Sequence, residues 1–299
     1  MTYPRSHTVD KDNPGTYLCT SRCVRRAWLC GDDPVSGQNF EHRRGWIEER
    51  LLWLASIFAI DLQAYAVMSN HYHCVVHVDP RRVDGWDDAE VARRWCQLRA
   101  AKNEADRRAK EQALVADKVR LHDVRERLGS LSQFMSDMNW RIACAANRED
   151  GVTGRFWQGR FDARPLLDEP ANISGMVYVD LNPVRAGMTE SLADAIHTSI
   201  ARRIAHQDDA SLGLAALSHF GLTLPEYITL LEWTAGLPAT TTGPPAALKK
   251  LGHSASTWRT RVGIHTLNLR AYGSLETLRD YVARLGQHWI RGMKKIPQP

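Results

Sequence analysis

Residues 70–78 read NHYHCVVHV, and the alternation in this stretch decides the fold. Successive side chains of a strand point to opposite faces. Tyr72, Cys74, Val76 and Val78 therefore share one face, suited to a core. His71, His73, Val75 and His77 share the other. Just upstream, Ile60–Val67 is a second short apolar run, and MSN at 68–70 joins the two as a hairpin. Residues 15–24, GTYLCTSRCV, are rich in β-formers and add a strand ahead of a basic turn.

Between these strands, 41–60 carries Trp46, Ile47, Leu51, Leu52, Leu54 and Ala55 at helical spacing. After the hairpin, 79–88 is a loop rich in Pro, Gly and Asp. Residues 89–117 read as one long charged helix and 118–147 as another. GRFWQGRFDARP at 154–165 reads as a basic, aromatic strand. Residues 169–182 form a helix with Asp168 as its cap and Pro170 in its first turn. This order predicts an α+β fold, one antiparallel sheet with helices on one face. Beyond Gly187 the chain reads as helical, and GLPATTTGPP at 236–245 is the best linker.

At about 3.3 Å per residue, His71 and His73 stand roughly 7 Å apart along the backbone, close enough to chelate one divalent ion. His77 lies roughly 13 Å beyond His73, too far to join them. Taken alone, H-x-H equally describes a surface strand that carries histidines. On the helix, Ile173, Met176, Val177 and Leu181 form the core stripe. Ser174, Tyr178 and Asn182 follow one another at intervals of four on another face. Pro183 ends the helix near Asn182. Alone, this segment also fits a half-buried tyrosine with a C-terminal Asn cap.

At 43% hydrophobic and 24% charged residues, the composition excludes a disordered or fibrous chain. The apolar run at 51–60 is half the roughly 20 residues of a membrane span. The first residues lack an apolar h-region, so no signal peptide is expected and the cytoplasm is the default location. The six cysteines form no C-x-x-C pair and read as reduced, mostly buried thiols. Net charge is +5, unevenly spread: 247–299 holds ten Lys/Arg against Glu276 and Asp280. Such basic segments suit a polyanion, most often nucleic acid.

Two stretches together, MSNHYH and YVDLNPVRAG, resemble the REP-associated tyrosine transposases of the HUH superfamily, whose pattern is P-N-H-x-H followed by Y-x-x-L-N-P-x-R-A-G. Ser69 stands where that pattern has Pro. GRFWQGRFDARPLLDE is similar to the family's strand before the tyrosine helix. The likeness covers about 15–188. It implies a ferredoxin-like catalytic domain over 1–188 with a helical insertion at about 79–130, and leaves 189–299 as a mostly helical, basic extension. It makes Tyr178 the nucleophile, His71 and His73 metal ligands, and Asn182 the third ligand. Imidazole and amide donors suit Mn²⁺ as well as Mg²⁺.

The implied activity is site-specific cutting and joining of one strand of hairpin-forming palindromic DNA through a 5′-phosphotyrosine. That link conserves the phosphodiester energy, so rejoining needs no ATP. Arg22, Arg25, Arg26, Arg155 and Arg160 are candidates for phosphate contacts, and Trp157 for stacking on an unpaired base. Arg259 and Arg261 represent the basic extension on hairpin DNA. A nucleoid-associated location in the cytoplasm follows; monomer and homodimer stay open. The rival readings are a domesticated hairpin-DNA-binding protein without turnover, and a metal protein of unrelated chemistry.

Overall fold

A computed structural model describes residues 8–24, 29–33, 37–237, 243–267 and 269–290. Arg25 and Arg26 lie outside the described residues, as does the middle of the expected linker. The elements run β1 (Gly15–Arg22), α1 (Arg43–Ile57), β2 (Ile60–Val67), β3 (His71–Val78), α2 (Asp88–Gln97), α3 (Glu104–Ala116), α4 (Lys118–Leu128), α5 (Leu131–Glu149), β4 (Asp162–Leu166) and α6 (Glu169–Asp180). There follow α7 (Asn182–Arg185), α8 (Ser199–His206), α9 (Leu224–Ala235), α10 (Ala246–Lys250), α11 (Ala255–Ile264) and α12 (Leu275–Arg284).

The strands pair antiparallel in the order β2-β3-β1-β4. This is the split βαβ arrangement of a ferredoxin-like sheet, with the second crossover enlarged by α2–α4. The strand parity holds. Tyr72, Cys74 and Val76 join Tyr17, Cys19, Ile47, Leu51 and Phe134 in one core cluster, beneath α1 and α5. The expectation of helices on one face is corrected. Leu18, Ala64, Ala66 and Val75 on the opposite face lie under α6 and α8–α11. The sheet is therefore sandwiched, because those side chains are apolar or small enough to accept a second layer.

The two long helices expected over 89–147 are four. Asn103, Asp117 and Ser130 each accept a hydrogen bond from a backbone N–H and cap a new helix. Residues 154–165 are also corrected: only 162–166 is strand, and the rest is a loop that meets the chain just after β1 at an isolated bridge, Cys23 to Trp157. The helix at 169 begins as expected, with Asp168 accepting from the Ala171 N–H at 2.8 Å. The C-terminal extension belongs to the core. Trp258 is fully buried, and α11 packs on α6.

Candidate active site

On the α6 side of the sheet, a cavity of about 390 Å³ opens at the end where β3 begins. The register builds its floor: Thr20 of β1 pairs with His73 of β3 and Asp162 of β4, and Leu18 pairs with Arg164. Thr20, Arg22, His71, His73, Arg160, Arg164, Tyr178 and His265 all line it. Strand alternation thus delivers the contributions of β1, β3 and β4, while α6 and the chain after α11 close the roof.

The two imidazoles sit 4.7 Å apart, ring centre to ring centre, and perpendicular. Arg22 offers only donors, and its Nη1 donates to Asn70 Oδ1 at 3.2 Å. The same oxygen lies 2.6 Å from His71 Nδ1, so Nδ1 carries the proton and Nε2 keeps its lone pair. Thr20 Oγ1 stands 2.8 Å from His73 Nδ1 and holds that side of the ring, with its hydroxyl able to donate or accept. Burial, helped by the Arg22 guanidinium, pushes the His71 imidazole down to about 4. His73 is held well below its usual value by burial first, then by His71, Arg164 and Arg22. Both rings are therefore neutral at pH 7, the form that ligates a metal.

Tyr178 is half-buried, its ring 5.8 Å from that of His73. Every other α6 residue from Ala171 to Asp180 is buried, so the helix offers this phenol alone to the cavity. Asn182 opens the turn after Tyr178 and does not line the cavity. Two neutral imidazoles, the first with its tautomer set by Asn70, fit a divalent cation that keeps other positions for water or phosphate oxygens. Among the described residues, no group of three or more His, Cys, Asp or Glu side chains adds a ligand to them.

Of the expected DNA contacts, Arg22 and Arg160 line the cavity, and Arg155 is exposed on the adjoining loop. Trp157 is corrected. It is buried against Tyr72 and Phe156, and its Nε1 donates to the Asn139 carbonyl at 2.7 Å, so its ring is core and offers no stacking surface. Arg261 is corrected too: it is largely covered and lies 3.8 Å from Asp168, because α11 turns its side chain onto the start of α6. Arg259 is exposed and stacks on Trp233. Sequence reading missed Thr20, Asn70, Arg164 and His265. Asn70 alone had a local signal, standing next to the first histidine.

Fold and cavity define an α+β protein in which a histidine pair and a tyrosine converge from a strand and a helix. No family model matches the chain, and no curated protein matches it. Among solved structures it is similar to one of a REP-associated tyrosine transposase bound to a REP hairpin, at 13% identity and a TM-score of 0.37 over 72% of this chain and 92% of that one. That likeness is too loose to transfer a residue's role. Among the described residues no helix is long and apolar enough to cross a membrane.

Proposed function

We propose that this chain is a metal-dependent, single-strand DNA endonuclease and strand transferase acting on hairpin-forming palindromic repeats. The observation that carries the reading is the placement of the Tyr178 phenol beside His73, in one cavity with His71 and the guanidinium groups of Arg22, Arg160 and Arg164. The motif resemblance pointed to the same histidines and the same tyrosine.

His71 and His73 would hold Mg²⁺ or Mn²⁺, which supplies Lewis acidity toward the phosphate oxygens and a template for the scissile group. Asn70 and Thr20 orient the two rings. The cavity's arginines offset phosphate charge and draw the strand in. Tyr178 Oη attacks the scissile phosphorus as its proton leaves. The P–O3′ bond breaks, the departing oxygen takes a proton, and the products are a 5′-phosphotyrosine and a free 3′-OH. Attack by a 3′-OH reverses the step and rejoins DNA. Asn182 as third ligand requires the turn Asn182–Arg185 to approach the cavity.

The test uses 5′- and 3′-labelled single-stranded hairpin DNA with Mn²⁺, resolved on a denaturing gel. Wild type should give a protein-linked band only with the fragment 3′ of the cut. Tyr178→Phe should lose that band while still binding the hairpin. A band from the Phe variant removes Tyr178 from the chemistry. Hairpin binding with no adduct in the wild type leaves the binding-protein reading.

A further inference from the structure

His265 follows α11 in the C-terminal extension, and it is 2% exposed. Its Nε2 lies 2.9 Å from Ser174 Oγ, one turn before Tyr178 on α6. Ser174 has one hydroxyl proton and donates it to the Ala171 carbonyl at 3.0 Å. The proton between the two side chains therefore belongs to His265 Nε2. Burial, with Arg164, Arg185 and Arg261 nearby, pushes this imidazole down to about 3, so it is neutral. Among the described residues its Nδ1 is buried without a hydrogen-bond partner.

The ring stands 5.7 Å from that of Tyr178, tilted by 34°. Tyr272 backs it at 4.3 Å. Tyr272 is itself fixed, donating its hydroxyl to the Leu267 carbonyl at 3.0 Å and accepting from Arg164 Nη1 at 3.1 Å. His73, Tyr178, His265 and Tyr272 thus form a continuous row of rings from β3 to the extension. The Tyr178 hydroxyl has no hydrogen-bond partner among the described residues, so contacts to its ring set where it points: His73 and His265, and the Arg185 guanidinium 5.8 Å from the ring centre.

We propose that His265 is a positioning residue: anchored to Ser174, its ring clamps the Tyr178 phenol in place beside His73, and the C-terminal extension thereby completes the site. The inference rests on the reading of Tyr178 as nucleophile for its consequence, but the clamp itself is testable without DNA or metal. It also gives the extension a task other than gripping a hairpin. Truncation after Gly236 would strip α6 of Trp258, Val262 and Tyr272 along with His265, so point variants are the cleaner probe.

The experiment labels the eight tyrosines with 3-fluorotyrosine and follows them by ¹⁹F NMR, with the Tyr178 signal assigned by its loss in Tyr178→Phe. A clamped ring gives two slowly exchanging orientations. His265→Ala should merge them into one averaged line, and His265→Gln, whose amide can still donate to Ser174, should keep them apart. In the same proteins, the single-turnover rate of adduct formation should fall about 100-fold in His265→Ala, as expected for a misplaced reacting group, with hairpin affinity unchanged. Gln should restore most of that rate. If His265→Ala does not fold, Ser174→Ala carries the test by releasing the anchor. An averaged Tyr178 line in the wild type, or no change of that line in His265→Ala, overturns the clamp whether or not the protein cuts DNA. Absence of any wild-type adduct with the clamp intact overturns the nuclease reading alone.

Discussion

Asn70 shows how one neutral side chain sets the chemistry of a neighbour. Arg22 fixes the orientation of its amide, the amide fixes the His71 tautomer, and the tautomer leaves Nε2 for a ligand. Thr20 holds His73 Nδ1 from the adjacent strand. Partners of this kind typically account for 10–100-fold in metal affinity. Asn70→Ala and Thr20→Val should each weaken Mn²⁺ binding by about that factor, measured by calorimetry without DNA. Unchanged affinity in both would mean that Mn²⁺ binds elsewhere. Asn70 was visible in the motif; Thr20 was not, because 53 residues separate it from its histidine.

At the scale of the element, α6 carries the tyrosine and is fixed at its start. Asp168 Oδ1 caps the Ala171 N–H, and Oδ2 accepts from the Ser274 N–H at 2.6 Å and from the Thr277 hydroxyl. One carboxylate therefore joins the starts of α6 and α12. Asp168→Ala should cost about 1–2 kcal/mol by urea unfolding, at the upper end for a helix cap, because the Ala171 and Ser274 N–H groups both lose their acceptor. A loss below about 0.5 kcal/mol would show that water replaces it. Gly175 serves the same docking. A Cβ there would meet Leu166 Cδ1 at 2.9 Å, so the glycine lets α6 approach β4. The cap was legible from Asp-Glu-Pro. The burial of α6 on nearly every side was not, since its core stripe anticipates one covered face, whereas the extension covers another.

Over the whole molecule, sandwiching the sheet buries histidines as neutral rings. An unfolded histidine titrates near pH 6.5. His71 falls to about 4 and His265 to about 3 in the folded chain. Between those values the unfolded state binds more protons, so stability rises with pH across the window and is lost as pH falls from 6.5 toward 4. Asp180, raised to about 6 by burial despite Ser199 and Tyr227, acts in the opposite sense over a narrower range. Four depressed histidines, His71, His73, His253 and His265, outweigh one raised carboxyl, and the thermal midpoint should drop on acidification from pH 6.5 to 4.5 without metal. His265→Gln should show a shallower drop. An equal slope in the variant would mean that His265 titrates normally in the folded protein.

What the sequence determined by itself was whatever repeats at short range. Two short apolar runs joined by MSN placed Ile60–Val67 and His71–Val78 at the observed bounds, and the period of two in the second separated the core face from the histidine face. Helical spacing placed α1, and cap chemistry placed the start of α6. Readings failed where a neighbour far along the chain decides. Trp157 resembles a surface aromatic of a basic strand until α5 covers it, and 89–117 and 118–147 each look continuous although Asn103 and Ser130 start new helices within them; the break at Asp117 was legible. Only the tertiary structure decided which groups meet His71, His73 and Tyr178. Register between β1, β3 and β4 is set by burial on both faces of the sheet, and it brings Thr20, Arg22 and Arg164 to the cavity. Packing of α11 on α6 brings His265 to Ser174 across 91 residues. No local period encodes such a meeting, because it exists only once two apolar surfaces have found each other.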